Sequence, residues 1–532
     1  MLRKLTIQKF FSVKSAQTVT MEPSAGKSGF LRNALVRLLL FGVFIVIARF
    51  AYVITIAGES CNVGDFCFFS IPETLNLAIA GSGTAPLAVK TTGAVVTSPP
   101  ELHASKDWIK SVHFYSSVFQ DLIAGGYLSP ESKSLCVETP TGRDVLALRE
   151  IGVSDAIGIS KKAKKPLVKS GEAHRIPFQD NNFDFVFSGE GGLERSARTG
   201  EFAEEVVRTL KPGGFAVFHV KANDTYSFNS FVDLFNSCCK LVKLHDIEGF
   251  DSSMPYIREI VLLKQGDMVK NFVDDFDSNS KCDVPGYKLE LVRNAELLIK
   301  NEPMKPWITL KKNVKNIKYL PSIVDIGFKN RYVYVDVGAR SYGSSIGSWF
   351  KKQYPKQNKT FHVYAIEADK AFHREYGLKK GITLLPYAAW VKNETLTFEI
   401  NRGPGEHEQA QAKKGRGMGR IQPLKSSGGD LGHEVEKIQG FDFANWLKST
   451  VSKNDFVVMK MDVEGTEFDL IPRLFETGAI CLVDEIFLEC HYNRWQRCCP
   501  GQRSPKYEKT YDQCLQLFTS LRKNGVLVHQ WY

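Results

Sequence analysis

Two stretches of the sequence alternate strand-like apolar runs with helical stretches, and this alternation constrains the fold more than any other feature. The first stretch begins near Ser134 and contains KSLCVE, GRDVLALREIG, DAIGIS, FDFVFS, EFAEEVVRTL and FAVFHV. The second begins near Tyr332 and contains YVYVDVGARSYGSSIGSWF, HVYAIEAD, ITLLPYAAW, LTFEI, FVVMKMDVEGTEFDLIPRLF and CLVDEIFLECH. Such alternation is typical of βαβ units, which build parallel sheets with helices on both faces. The sequence therefore predicts an α/β protein with two Rossmann-like folds.

An apolar run near the N-terminus predicts a single transmembrane helix. The run is LVRLLLFGVFIVIARFAYVITIA at residues 35–57, and about 20 apolar residues suffice to cross a bilayer. Arg37 lies at the edge and can snorkel, whereas Arg49 costs about 2.5–3.5 kcal/mol near the bilayer centre, against many favourable apolar residues. The alternatives are a buried core helix and the hydrophobic region of a cleaved signal.

The distribution of charge predicts the orientation and the compartment. The net charge is +11, and the first 37 residues supply +6 of it, since they hold seven basic residues and one acid. Basic residues before the span and acids after it place the N-terminus in the cytosol. We therefore expect a single-pass type II protein with lumenal domains, in the Golgi or another endomembrane. The thinly spread remaining charge does not indicate a nucleic-acid partner. A mitochondrial or plastid membrane is the alternative, because residues 1–33 also suit a transit peptide.

N-glycosylation sequons and cysteines also give information on the compartment of the protein. Asn223, Asn358 and Asn393 each begin an N-glycosylation sequon in a predicted loop, as a lumenal glycoprotein requires. Eleven cysteines are too few for a disulfide scaffold. Cys61 and Cys67 are predicted to close a small disulfide just past the membrane, or else to be free thiols.

These features predict the domain order. The segments are a cytosolic basic tail at 1–34, the transmembrane helix at 35–57, a stem at 58–105, a first domain at 106–265, a connector at 266–320 and a second domain at 321–532. The stem is predicted from its Gly, Ser, Thr and Pro content, and the connector from its polar composition. One helix is expected in the connector, around Lys288–Lys300.

In the first domain, GEAHRIPFQDNNFDFVFSG followed by EEVVRTLKPGGFAVFHV resembles class I S-adenosylmethionine-dependent methyltransferases of the type-11 kind. The resemblance implies an acid and a glycine-rich turn after the first strand and an acid after the second. This chain has Cys136, Glu138, Pro140 and Ser160 at those positions, and keeps only the later acid, Glu172. Pro lacks an N–H, and the Cβ of Glu hinders close backbone approach to a cofactor. We expect a degenerate methyltransferase fold that serves structure or recognition.

In the second domain, DVGA, AIEAD and KMDVEGTEFDLI recur in the order found in FkbM-type methyltransferases. The domain also resembles an uncharacterised methyltransferase-like domain of plant membrane proteins. The resemblance implies that Asp336, Gly338 and Gly343 form the first S-adenosylmethionine turn and that Glu367 binds the ribose hydroxyls. A carboxylate at a strand end can accept two hydroxyl hydrogen bonds, and glycine removes a blocking Cβ. The loop is one residue longer than the usual spacing and has Arg340 where the family often has Asn.

A second group of candidate residues follows later strands of the same domain. Lys460, Asp462 and Glu464 end one strand, at the edge where open α/β sheets bind ligands. The alternative is a buried charge network between strand and helix. Glu489 and His491 end the next strand, and His491 is the candidate general base for a substrate hydroxyl, although a lone His is more often structural.

Other features receive simpler interpretations. No metal site is predicted, because Cys490, His491, Cys498 and Cys499 lack paired C-x-x-C spacing, so disulfides with Cys514 or free thiols are expected. Asn401–Gly432 is interpreted as a solvated insertion, with a mobile lid for an acidic polymer as the alternative. Asp275-Phe-Asp277 follows no strand and is treated as a chance occurrence.

The function predicted from the sequence is S-adenosylmethionine-dependent O-methylation of a glycan or similar hydroxyl acceptor in the endomembrane lumen. One rival is a non-catalytic scaffold that anchors partner Golgi enzymes. The other is a glycosyltransferase, whose Asp-x-Asp motif closing a strand is absent here.

Overall fold

Short runs of Val, Ile, Leu and Phe form most of the strands, because such runs can bury both faces of a sheet. The structure is a computed structural model, and it describes residues 105–252, 254–266, 286–293, 296–302, 317–402, 416–422, 434–496 and 498–531. Within these ranges we name residues 105–266 the first lobe and residues 317–531 the second lobe.

The first lobe contains a mixed, mostly parallel sheet. In chain order its described strands are β1 (Ser134–Val137), β2 (Ala156–Ser160), β3 (Val168–Ser170), β4 (Phe183–Ser188), β5 (Leu210–Val220), β6 (Cys239–Glu248) and β7 (Tyr256–Lys264). They are arranged β3-β2-β1-β4-β5-β7-β6. Strand β7 runs antiparallel to both of its neighbours, whereas the pairs from β3 to β5 are parallel. The chain order therefore reverses between β1 and β4.

The helices of the first lobe cover this sheet. They are α1 (Lys106–Ala124), α2 (Arg143–Glu150), α3 (Gly192–Arg195), α4 (Thr199–Thr209) and α5 (Thr225–Phe235). Local sequence explains two of their starts: the side chain of Ser105 accepts a hydrogen bond from the Trp108 amide, and that of Asp224 accepts one from the Ser227 amide. Such caps satisfy amides that have no partner within the helix.

The second lobe contains two sheets. Its described strands are β8 (Tyr332–Val337), β9 (Phe361–Ile366), β10 (Ile382–Leu385), β11 (Ala388–Trp390), β12 (Glu394–Arg402), β13 (Arg416–Gln422), β14 (Glu434–Asp442), β15 (Phe456–Met461), β16 (Glu485–Leu488) and β17 (Leu527–Gln530). The larger sheet has the order β10-β9-β8-β15-β16-β17, and every pair in it is parallel. This is the doubly wound arrangement that binds nucleotides where the strand order reverses, here between β8 and β15.

The smaller sheet of the second lobe has the order β11-β14-β12-β13. The sequence predicts one strand over ITLLPYAAW, but the structure divides this segment between β10 and β11, in different sheets. Pro386 lies at the division, and proline cannot donate a ladder hydrogen bond. The predicted LTFEI strand is present within β12, yet it pairs antiparallel with β13 and β14 rather than extending the parallel sheet.

Helices cover the larger sheet on both faces. In the described ranges they are α6 (Gly286–Arg293), which precedes the second lobe, and α7 (Leu320–Ile323), α8 (Lys370–Gly377), α9 (Phe443–Thr450), α10 (Glu467–Glu476) and α11 (Tyr511–Lys523). A π-helical turn, Ile346–Phe350, follows β8, and a 3-10 turn, Ala479–Leu482, precedes β16. Helix α6 ends earlier than the helix predicted around Lys288–Lys300, since the described residues 296–300 are not helical.

A buried lysine joins the two lobes. Lys359, on the loop before β9, is 6% exposed. Its Nζ donates to the carbonyl oxygens of Glu194 and Ser196 in the first lobe, at 2.6 and 2.8 Å. Thr199 of α4 donates to the Gly327 carbonyl at 2.9 Å. Burial lowers the pKa of Lys359 to about 8, so these acceptors satisfy a charge that is costly to bury.

Several predicted segments lie outside the described residues. They are the basic tail, the span at 35–57, nearly all of the stem, the Asp275-Phe-Asp277 segment and most of Asn401–Gly432. No helix within the described ranges is long and apolar enough to cross a membrane. The three sequon residues Asn223, Asn358 and Asn393 are described, and each is exposed in a loop.

Candidate functional site

A cleft opens in the second lobe where the strand order reverses. Its empty volume, including space open to solvent, is about 720 Å³. The loops after β8, β9 and β15 line one side of it, and residues of β12 and β13 line the other. The lining residues are Val337, Gly338, Arg340, Ile366, Glu367, Ala368, Asp369, Phe372, Tyr387, Ala388, Ala389, Phe398, Gly419, Arg420, Ile421, Asp462, Val463, Glu464 and Thr466. Open parallel sheets bind ligands at this place.

Gly338 lies in the cleft lining, as predicted, and the structure adds a reason for glycine there. Its φ is +75°, a value that only glycine adopts without cost. A Cβ at this position would lie 1.9 Å from the backbone oxygen of Asp462. The turn after β8 therefore packs directly on the loop after β15, and both loops reach the cleft together.

Glu367 ends β9 and also lines the cleft. One carboxylate oxygen accepts a hydrogen bond from the Arg340 amide at 2.6 Å, and the other accepts one from the Asp369 amide at 2.7 Å. Burial raises the pKa of Glu367 to about 7. The two amides hold the carboxylate in one orientation, and each oxygen has a further lone pair with which to accept a ligand hydroxyl.

Asp336 and Lys460 are buried and do not line the cleft, so their predicted roles in cofactor binding and catalysis stay predictions. Lys460 Nζ lies 3.4 Å from Asp336 Oδ1 and donates to the Gly338 carbonyl at 2.9 Å. Tyr334 donates its hydroxyl proton to Asp336. Burial alone would lower the pKa of Lys460, but the neighbouring carboxylates, Asp336 first, raise it. This buried network joins β8 to β15, whereas the alternative interpretation expected a network between strand and helix.

Gly343 does not line the cleft. It is exposed in the loop after β8, has no left-handed φ, and a Cβ there would have no atom within 4 Å. The Ser344 amide donates to the Ser341 carbonyl at 3.0 Å, which closes a turn around Gly343. The predicted role of Gly343 in the cofactor turn is therefore not supported by its position.

Asp462, Glu464 and His491 lie together at one end of the cleft. The Nε2 atom of His491 is 3.6 Å from Asp462 Oδ1 and 3.9 Å from Glu464 Oε1. Asp462 and Glu464 line the cleft, whereas His491 lies behind them and is 4% exposed. Glu464 has a left-handed φ of 51°, the type of backbone strain that recurs at functional sites.

The general-base role of His491 stays a prediction, and its surroundings do not favour it. Burial lowers the pKa of His491, but Glu467, Glu464 and Asp462 outweigh burial and raise the pKa to about 9. His491 also stands outside the cleft lining, so a substrate in the cleft would not contact its ring directly.

Glu467, Lys506 and Tyr507 surround this cluster, and none of them was predicted from the sequence. Glu467 is fully buried, and its Oε1 lies 3.3 Å from His491 Nδ1. The sequence did contain an indication of its role, because Glu467 lies on the buried face of α10 with Leu470, Ile471 and Leu474. A glutamate is rarely fully buried unless another group pairs with it. Lys506 and Tyr507 contact Glu464 from a loop, and no sequence pattern points to that contact.

The cysteine prediction is confirmed in part. Cys490, adjacent to His491, forms a disulfide with Cys514 of α11. Cys498 and Cys499 pair with each other. Cys490 is therefore not available as a metal ligand.

The first lobe has a smaller cleft beside β1, where its strand order reverses, and an ion pair crosses this cleft. Its empty volume is about 220 Å³. Its lining residues are Tyr115, Glu138, Thr139, Pro140, Thr141, Arg143, Asp144, Gly189 and Glu190. Arg143 lies 2.8 Å from Glu190 across this space. Cys136 is fully buried in β1, and Glu172 is half-exposed and lies 3.2 Å from His174.

Two family models match the chain. Residues 152–218 match the model described as a methyltransferase domain. Residues 292–396 and 423–532 match a model described as a domain of unknown function, DUF7870. The first match lies in the first lobe, and the second covers most of the second lobe, including the loops that line the larger cleft.

Individual relatives are methyltransferases. The sterol 24-C-methyltransferase of Schizosaccharomyces pombe is 27% identical over 146 residues, which are 27% of this chain and 32% of that enzyme. The chain thus spans about a third of the length of this relative. A solved 1,6-didemethyltoxoflavin-N1-methyltransferase of Burkholderia thailandensis, bound to 1,6-didemethyltoxoflavin and S-adenosylhomocysteine, is 13% identical, and the match covers 33% of this chain and 94% of that one with a TM-score of 0.24.

A solved S-adenosylmethionine-dependent methyltransferase of Aquifex aeolicus is 14% identical, and the match covers 30% of this chain and 93% of that one with a TM-score of 0.24. Part of the chain is therefore similar to methyltransferases: residues 152–218 match the domain model, and 146 residues match the sterol methyltransferase.

Proposed function

We propose that this chain transfers a methyl group from S-adenosylmethionine to a hydroxyl oxygen, and that the cleft of the second lobe is the site. One observation carries the proposal: the larger cleft, about 720 Å³ against about 220 Å³, lies at the strand-order switch of the second lobe and holds a fixed carboxylate, Glu367. The fold places ligands there, and a carboxylate at the end of the second strand suits a ribose diol.

The residues present fit the cofactor. Gly338 and Glu367 would hold its ribose side, and the apolar side chains of Ile366, Phe372 and Ile421 would contact its adenine. When bound, S-adenosylmethionine supplies a methyl group on a sulfonium that is already activated. The chain must then orient the acceptor and remove one proton.

Asp462 is the residue to which we assign removal of the proton from the acceptor hydroxyl. It lines the cleft, and its side chain is 20% exposed. Lys460 Nζ lies 3.4 Å from Asp462 Oδ2, and Asp462 Oδ1 lies 3.6 Å from His491 Nε2. Phe398 and Ile421 from the smaller sheet line the opposite side of the cleft.

A glycan in the endomembrane lumen is the acceptor class that we propose. The support is the predicted type II span together with the exposure of Asn223, Asn358 and Asn393, the three sequon residues. A lumenal enzyme that carries glycans itself would meet glycan hydroxyls as its commonest acceptors.

A non-catalytic role is a second candidate, and it applies to the first lobe. The Arg143–Glu190 ion pair crosses the place where a cofactor would lie, and Tyr115 is within 3.4 Å of the same Glu190. We propose that this lobe supports the second one and contacts partner enzymes of the Golgi rather than binding cofactor.

Calorimetric titration of S-adenosylmethionine into the purified full-length chain tests the proposal. We expect saturable binding, lost in Glu367→Ala and kept in the matched first-lobe control Glu172→Ala. Loss in Glu172→Ala alone would move the site to the first lobe. No binding by the folded wild-type chain would refute the enzyme and leave the scaffold role.

A further inference from the structure

The cluster of Asp462, Glu464 and His491 has the arrangement of a metal site. We propose that these three side chains bind one divalent transition-metal ion, with Mn²⁺ as the ion that suits them best. The candidate ligand atoms all lie within 4.8 Å of one another. Binding of the ion needs only these residues, so it can be tested apart from the proposed methyl transfer; Asp462 would serve as a ligand when the ion is bound and as the proton acceptor only when it is absent.

The distances suit a single ion. Oxygen and nitrogen ligands lie about 2.1 Å from such an ion, so two ligands of one ion are at most about 4.2 Å apart. His491 Nε2 lies 3.6 Å from Asp462 Oδ1 and 3.9 Å from Glu464 Oε1. Both distances exceed those of a hydrogen bond. His491 Nε2 is therefore close enough to each carboxylate to share one ion with it, without a hydrogen bond to either, and the three ligand atoms together lie within 4.8 Å of one another.

The outer oxygens of the two carboxylates are anchored by cations. Lys460 lies 3.4 Å from Asp462 Oδ2. Lys506 lies 2.8 Å from Glu464 Oε2, and the Tyr507 hydroxyl donates to the same oxygen. Each carboxylate thus keeps one oxygen for the protein and has the other beside His491 Nε2.

Glu464 supplies an independent observation. It is 8% exposed, and among the described residues its Oε1 accepts no hydrogen bond. A buried carboxylate oxygen without a hydrogen bond is costly, and this one points toward His491 Nε2 beside Asp462. A cation shared with His491 and Asp462 would satisfy it.

The imidazole of His491 is oriented by a carboxylate, as the imidazoles of metal-binding histidines are. His491 Nδ1 lies 3.3 Å from Glu467 Oε1, and the same oxygen accepts the His491 amide at 2.6 Å. A carboxylate on the far ring nitrogen fixes the ring and directs the other nitrogen to the metal. The disulfide between Cys490 and Cys514 restrains the residue next to His491.

The negative charge of the cluster and the chemical type of its ligands indicate which ion it would bind. Glu489 Oε1 is a further carboxylate oxygen, 3.9 Å from His491 Nε2. Carboxylates suit Mn²⁺ and one imidazole is compatible with it, while the absence of a thiolate ligand in the cluster argues against a structural zinc site. Because Asp462 and Glu464 also line the cleft, a bound ion would face its interior.

The test titrates Mn²⁺ alone into the chelator-treated full-length chain and follows the free ion by its EPR signal. We expect saturable binding of one ion. Glu464→Gln should weaken the affinity at least about tenfold, because loss of a ligand should cost no less than loss of a supporting residue. Glu508→Gln, which changes an exposed carboxylate on the nearby loop, should leave the affinity unchanged.

A second measurement does not depend on how the variants fold. Pulsed EPR of bound Mn²⁺ in the wild-type chain should show coupling to an imidazole nitrogen. Absence of saturable binding, absence of this coupling, or equal affinity in a folded Glu464→Gln variant would each overturn the metal site. Mn²⁺ binding without S-adenosylmethionine binding would refute the proposed function and leave the metal site standing.

Discussion

Gly338 offers the sharpest test of how the cleft is built. Replacing it by alanine places a Cβ 1.9 Å from the Asp462 backbone oxygen and forces a non-glycine residue to φ +75°. The left-handed conformation costs about 1–2 kcal/mol, and relieving the overlap by moving the Asp462 loop costs about 1–3 kcal/mol. We expect Gly338→Ala to lower the free energy of unfolding by about 2–5 kcal/mol.

Gly343→Ala is the matched control, since it lies five residues away on the same loop. A Cβ there meets no atom within 4 Å, and its backbone is not left-handed. Its effect should stay within about 0.5 kcal/mol. Thermal unfolding of the full-length chain compares the two: Gly338→Ala should lower the unfolding temperature of the second lobe by roughly 5–15 °C. Equal unfolding temperatures for the two variants would refute the argument that the turn after β8 packs on the loop after β15.

Burial raises the pKa of Glu367 from 4.5 to about 7, so between these values the folded chain keeps a proton that the unfolded chain loses, and stability falls as pH rises through this window. Urea unfolding at about pH 5 and about pH 8 should show a smaller fall in Glu367→Gln than in the wild type. Lys460→Met should cost about 3–5 kcal/mol, because it removes the cation beside the buried carboxylate of Asp336; the double variant with Asp336→Asn should recover much of that loss by the same assay, and no recovery would contradict the pairing. In the first lobe, Arg143→Ala or Glu190→Gln should change stability by only about 0–1 kcal/mol, since the pair is partly exposed. Calorimetry should find their S-adenosylmethionine affinity unchanged, and a loss would show that the first lobe binds cofactor.

Local sequence was sufficient to predict most of the strands. It was also sufficient for those residues whose position depends only on where a strand ends. The apolar runs YVYVDV and FVVMKM each become a buried strand, because pattern and length decide such elements. Gly338 directly follows β8, and Glu367 directly follows β9. Both reach the cleft because the carboxyl ends of parallel strands lie at the same edge of the sheet. Gly343 lies outside the cleft lining, and its predicted role in the cofactor turn stays a prediction.

The tertiary structure decided what surrounds each charged group. Asp336 and Lys460 follow the same strand-end pattern as Glu367, yet they pair with each other beneath the cleft, because β8 and β15 are neighbours. The partners of His491 come from positions distant in sequence, Asp462, Glu464 and Glu467. Whether a carboxylate binds a cofactor, a lysine or a metal ion depends on the groups within a few ångströms of it. Strand order and loop packing bring those groups together, and neither can be read from local periodicity.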